Sequence, residues 1–323
     1  MDRSRWRLRT LMPFVLLMAC TGPTGDGGSP APTHPSPVPA IVRTGRIVFG
    51  GDDGEIHVLS LSTGEDRTVT SIRGPQFDPD GHGRLIVFRD SRAGVNVNDD
   101  IAVISTDGTG YRNLTRTPDA NEWGPVWSPD GRRIVYSSDD NGMPQLFVMD
   151  ADGSNARQLS DVWGEYPAWS PDGSRIAFAS SMGGSTPFGD PDYDVFVMNA
   201  DGSGETNLTT APDSSEGYPT WSPDGEWIAF GSTRGTPPNF EPPPHDLERR
   251  SDEDVWVMRP DGSEPRNLTS DLVRQNKFPD WSNRGLLIDR EGSIVILDPD
   301  TGAEDDVSER TGVLGVFPAW LER

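Results

Sequence analysis

The chain has 323 residues, with 51 acidic against 28 basic side chains and a formal net charge of −23. That length supports a sizeable core, while so anionic a surface repels phosphate backbones and argues against a nucleic-acid partner. A single cysteine excludes an intramolecular disulfide, and 36 glycines, 30 prolines and 10 tryptophans point to many short strands joined by turns.

The first nineteen residues read as an export address. Arg3, Arg5, Arg7 and Arg9 precede a short apolar run, Leu11 to Ala19, too short for a membrane span. Leu17-Met18-Ala19-Cys20 then resembles the lipobox of bacterial lipoproteins, with leucine three residues and alanine one residue before the cysteine. The resemblance implies cleavage after residue 19 and a lipid on Cys20, the only contact with the membrane; two or more acyl chains anchor stably where one does not. The destination would be the cell envelope, at the outer face of the cytoplasmic membrane or in a periplasm. Residues 20–44 are rich in glycine, proline, serine and threonine and cannot bury a core, so they read as a disordered tether. At ~3.1 Å per residue its reach is roughly 60 Å.

From residue 45 to 323 one phrase recurs. It stands as Gly-Pro-Val-Trp-Ser-Pro-Asp-Gly from Gly124, as Glu-Tyr-Pro-Ala-Trp-Ser-Pro-Asp-Gly from Glu165 and as Gly-Tyr-Pro-Thr-Trp-Ser-Pro-Asp-Gly from Gly217, with weaker copies from Gly74 and Phe278. Aligned on the proline ahead of the aromatic residue, the copies fall at Pro75, Pro125, Pro167, Pro219, Pro279 and Pro318, spaced 50, 42, 52, 60 and 39 residues apart. Periods of this size filled with short strands indicate propeller blades. Each copy offers a leading strand ending in the aromatic residue, a Ser-Pro-Asp-Gly turn, a β-rich strand such as Ile176-Ala177-Phe178, a variable loop, a third strand such as Val195-Phe196-Val197-Met198, an Asp-Gly turn, and a short Asn-Leu-Thr strand. The copy from Arg46 lacks its own leading strand, and Phe317-Pro318-Ala319-Trp320 is a leading strand with nothing after it. The prediction is an all-β, six-bladed β-propeller of four-stranded antiparallel blades, closed by the C-terminal strand joining the first blade.

This phrase, from Pro-x-Trp-Ser-Pro-Asp-Gly through Asn-Leu-Thr, resembles the TolB-like propeller repeat family, whose repeat is shared with the propellers of prolyl-oligopeptidase-type enzymes. The resemblance implies the fold; function must be argued from sites. No α/β domain of the TolB kind precedes the repeats, so the partner known for that family does not transfer by resemblance.

The loop between second and third strands varies most. It is short in the first and sixth copies, spans Ser180–Asp194 in the fourth and Ser232–Asp254 in the fifth. Length variation on one face marks that face as the one that meets a partner. Glu122, Glu165 and Glu216 each precede a leading strand on the same side, and read as ligand-binding candidates at an acidic channel mouth. Asp100, Asp194 and Asp254 open third strands at one repeated position, the signature of a structural hydrogen bond. Asp190-x-Asp192-x-Asp194 resembles the start of a calcium loop but lacks the glycine and glutamate that complete one.

Gly-x-Ser-x-Gly and His-Glu-x-x-His do not occur, and the four histidines, His34, His57, His82 and His245, have no metal-ligand spacing. The reading is a monomeric, non-catalytic envelope lipoprotein without a cofactor or metal, binding a protein, peptide or envelope polymer through its long-loop face. The alternative is a hydrolase, a lyase or a metal-dependent site at the acidic channel mouth. The Asn-Leu-Thr runs read as a fourth-strand pattern, not as glycan acceptors.

Overall fold

A computed structural model describes residues 43–72, 74–91, 98–185, 191–210, 214–235, 253–270 and 275–321. The export address, Cys20 and nearly all of the tether lie outside the described residues, as do Asp190 of the calcium-like run and residues 236–252 of the fifth copy's loop. Among the described residues no helix is long and apolar enough to cross a membrane.

Six antiparallel sheets of four strands form the ring. Blade 1 joins Arg46–Gly50, Ile56–Ser60 and Asp66–Thr68 to the C-terminal strand Val316–Trp320, which lies innermost against Arg46–Gly50. Blades 2 to 6 start from innermost strands Gln76–His82, Glu122–Trp127, Glu165–Trp169, Glu216–Trp221 and Asn276–Ser282 and run outward in chain order. The expected closure is therefore present.

The core lies between blades. Six apolar clusters each join two neighbours: Val135, Leu146 and Val148 of blade 3 pack on Ile176 and Phe178 of blade 4, and Val255 and Val257 of blade 5 pack on Leu286 and Ile288 of blade 6. Strands buried on both faces need apolar residues at successive positions, which is why Ile-Ala-Phe and Val-Phe-Val-Met read as continuous runs rather than alternating ones. The repeated arginine before the second strand links blades too. The Arg133 guanidinium lies 4.7 Å from the Trp169 ring and that of Arg175 4.6 Å from Trp221, each arginine reaching the next blade.

The third-strand aspartates are structural, as expected. Asp194 accepts hydrogen bonds from Asn207 Nδ2 (2.8 Å) and Thr209 Oγ1 (2.9 Å), and Asp254 from Asn267 and Thr269, both at 2.8 Å. Asp100 is held in the same way by Asn113 at 2.5 Å. The threonine hydroxyl also accepts the backbone N–H that follows the aspartate, as at Val195 and Val255. The Asn-Leu-Thr run is thus a latch for the outermost strand.

The structure corrects one alignment. The residue before the ring proline has φ between +50° and +58° in every blade: Asp78, Gly124, Tyr166, Tyr218, Phe278 and Phe317. In blade 2 the equivalent proline is therefore Pro79 and not Pro75. Each of these innermost strands slips register at that point, a bulge that turns the side chain away from the ladder.

Candidate functional site

Four of the bulge residues stack ring on ring along the channel wall. Tyr166 and Tyr218 ring centroids lie 4.3 Å apart, Tyr218 and Phe278 4.5 Å, and Phe278 and Phe317 4.2 Å. A left-handed backbone is costly for bulky side chains, and such strain persists where surrounding structure over-determines it. Of its five occurrences outside glycine, four place the rings of this aromatic belt and the fifth places Asp78. Around the belt the free space is only about 130 Å³.

On the long-loop side of the belt lie two charge triads. Arg89, at the end of the second strand of blade 2, has Nε 3.6 Å from Asp78 Oδ2 and 3.7 Å from Asp99 Oδ2. Lys277, the only lysine of the chain, has Nζ 3.6 Å from Glu253 Oε2 and pairs across the sheet with Asp289. Each cation is thus placed among two carboxylates. Both triads approach the tyrosines: Asp78 and Arg89 act on Tyr166, and Asp78 and Glu253 on Tyr218. Glycine makes room for one of them, since a Cβ at Gly231 would collide with the Glu253 carboxylate.

Burial pushes the carboxyls of Asp78 and Glu253 above the usual range, against the pull of Arg89 and Lys277. It raises Asp289 to about 6, opposed by the Gly292 N–H and by Lys277. Side chains remain accessible, 24% for Arg89 and 32% for Lys277. Perturbed acids grouped at the end of a channel mark a functional-site candidate. With four carboxylates against two cations, the mouth can accept a further positive charge. Among the described residues no three His, Cys, Asp or Glu side chains converge as metal ligands.

The three expected glutamates are placed differently from this vestibule. Glu122 (1% exposed) accepts hydrogen bonds from Thr115 and Thr117; Glu216 (0%) from Ser214, Ser232 and Arg234; Glu165 (6%) from Trp163 and Tyr193. Their carboxylates are engaged inside the fold. Nor are they one set: Glu122 and Glu216 stand three residues before the ring proline and Glu165 two. Burial raises all three, and Glu122 reaches about 7 despite its two threonine donors. The candidate residues that sequence reasoning missed are Asp78, Arg89, Glu253 and Lys277. The lone lysine was the one signal available for them.

Glu122 sets a pH dependence. Its carboxyl holds its proton more tightly in the fold (about 7) than at the ordinary value of 4.5. Its contribution to stability is complete below pH 4.5 and is lost as pH rises through 7. Blade 2 carries Gln76 at the same position, buried and accepting from Thr70. Glu122→Gln should therefore raise the melting temperature at pH 8 by about 3 °C, for about 1–2 kcal/mol, and by much less at pH 5. Calorimetry at the two pH values checks this; equal shifts would contradict it.

Comparison with known proteins follows the ring. The family model described as TolB beta propeller domain matches residues 35–166. The chain is 29% identical over 227 residues to the uncharacterized peptidase YuxL of Bacillus subtilis, covering 58% of this chain and 33% of that protein. It is 32% identical over 126 residues to the Tol-Pal system protein TolB of Anaeromyxobacter dehalogenans, covering 38% and 26%. The chain thus spans a third or less of the length of these relatives. Among solved structures, TolB from Acinetobacter baumannii superposes with a TM-score of 0.64 at 18% identity, over 86% of this chain and 67% of that one.

Proposed function

As a member of the TolB-like β-propeller family, the chain carries a ring scaffold with two distinct faces, and we propose that it is an envelope lipoprotein that binds a basic segment of a protein or peptide in the vestibule of its long-loop face. The observation that carries this reading is the pair of triads, Asp78–Arg89–Asp99 and Glu253–Lys277–Asp289, at the mouth above the aromatic belt. An incoming ammonium or guanidinium group would find carboxylates already gathered at low dielectric, where charge-assisted hydrogen bonds are strong. Cys20 would carry the lipid, and residues 21–44 would let the ring search for its partner. The binding unit is a monomer, and no nucleic acid or cofactor enters the reading.

A hydrolase or lyase at the same mouth is the second reading, favoured by Asp289, whose carboxyl at about 6 is poised for proton transfer near neutrality.

The test is a photo-cross-linking residue at Met143, which is 51% exposed on the loop side of blade 3, in cells expressing the full chain. The expected result is one envelope-protein adduct that disappears when Asp78→Asn and Glu253→Gln are combined. In the same cells Cys20→Ser should lose acyl labelling and leave the membrane fraction. An adduct indifferent to the double substitution would contradict the vestibule as the binding site, and acyl labelling that survives Cys20→Ser would contradict the anchor.

A further inference from the structure

The opposite, turn-side end of the channel holds a second cavity, of about 510 Å³, on the far side of the aromatic belt. Its wall comes from the repeated phrase itself: Trp127, Trp169 and Trp221 with Pro129, Pro171 and Pro223, from blades 3, 4 and 5. The rim is lopsided. Blades 3 to 5 raise full turns there, tied at Ser128, Ser170 and Ser222 by bonds such as Gly131 N to Ser128 O at 2.8 Å. Blades 2 and 6 cross with two-residue turns, since His82 pairs with Leu85 and Ser282 with Gly285. In blade 1 the innermost strand is the C-terminal one, so no turn joins it to Arg46–Gly50. The cavity is therefore walled on one side and low on the other.

Its electrostatics are the reverse of the vestibule's. Among the described residues, Asp80 is the only carboxylate in the lining, which contains no lysine or arginine. Asp80 is 3% exposed, and its Oδ2 accepts the Trp127 backbone N–H at 2.7 Å. In a chain with 51 acidic residues, so neutral a wall selects against ions. A cavity of several hundred Å³ with an apolar aromatic lining and a few polar groups is the usual form of a small-molecule site. Polar side chains stand on both sides of it: Ser128 and Ser222 on the walled side, their hydroxyls tied to Asp130 and Asp224 within their own turns, and His82 and Asn283 on the low side.

We infer that this cavity is a second binding site, separate from the proposed vestibule, for a neutral and largely apolar ring compound carrying one hydrogen-bonding group. The apolar body lies against the indole and proline wall, and the polar group faces His82 and Asn283. The two sites are built from different residues, so occupancy here does not need a partner on the other face.

The probe is 6-propionyl-2-dimethylaminonaphthalene, an uncharged naphthalene ketone whose emission shifts to the blue in apolar surroundings. Titrated into the full chain, it should bind saturably at one site with a blue shift. Ala168→Phe, which places a ring in the throat of the cavity, should weaken binding roughly tenfold or more. Should that variant melt early, Asn283→Trp at the low rim supplies the second block. Lys277→Met in the vestibule should leave probe binding unchanged. Absence of saturable binding, or affinity unmoved by the folded blocking variant, would overturn the inference; affinity lost with Lys277→Met would reassign the probe to the vestibule and overturn it equally.

Discussion

A chain ending at Leu314 should fail to give a folded ring. The strand removed, Val316–Trp320, is the innermost of blade 1, and it works at two interfaces. Trp320 packs with Ile47, Phe49 and Leu59 of its own blade and with Leu287 and Ile294 of blade 6, whereas Ala319 and Leu321 pack with Val48, Ile56 and Ile86 toward blade 2. Its polar groups are tied as well: Trp320 N–H to Asp280 Oδ2 at 2.7 Å, its indole N–H to Gly285 O at 3.1 Å, and Leu321 N–H to Arg46 O at 3.0 Å. Leu321 also fills the space over Gly81, where blade 2 lacks the aromatic residue of the other blades; a Cβ there would stand 2.7 Å from Leu321. Loss of a single buried tryptophan side chain costs about 3–5 kcal/mol, and whole domains keep only about 5–15 kcal/mol in reserve. Removing the strand takes away that tryptophan, three more buried side chains and a full ladder, and opens an unpaired edge in Arg46–Gly50. Circular dichroism and gel filtration of the truncated chain should show loss of the cooperative transition and aggregation. An unchanged melting curve would contradict closure by this strand.

The fold was legible because a repeat states the same instruction several times. Ser-Pro-Asp-Gly demands a turn wherever it stands, and its aspartate is locked into that role: hydrogen bonds from Ser170 and Ser174 hold Asp172 down to about 2. The latch of Asn-Leu-Thr on the third-strand aspartate was legible for the same reason. The site was less so. Asp78 and Tyr166 belong to the same repeat position, yet one was hidden by an alignment on Pro75 and the other read as part of the scaffold. Only the backbone, with φ near +50° at both, reveals that this position is aimed at the axis. Arg89 and Glu253 come from second strands and loop ends, so their approach to Tyr166 and Tyr218 depends on the ring being closed. Conversely, Glu122, Glu165 and Glu216 looked available because they recur, while their burial depends on donors such as Thr117, Tyr193 and Arg234, which vary from blade to blade.

Neutralising the vestibule should cost more binding than any other pair of surface changes. Asp78→Asn with Glu253→Gln removes one carboxylate from each triad and leaves Arg89 and Lys277 with one acidic neighbour apiece. A basic ligand then loses two attractions and meets two cations less fully compensated. Truncating one partner of a buried charge pair costs about 2–5 kcal/mol in binding, so the double variant should bind at least about tenfold more weakly. The direct measurement is fluorescence anisotropy of a labelled alternating arginine–glycine pentapeptide at fixed ionic strength. The wild-type chain should bind it saturably, and more tightly as pH rises through 6 and Asp289 ionises. The double variant should lose that binding, and Asp172→Asn on the turn face should keep it. Equal binding by all three chains would mean that the peptide responds to overall charge alone, and would contradict the vestibule as the functional site.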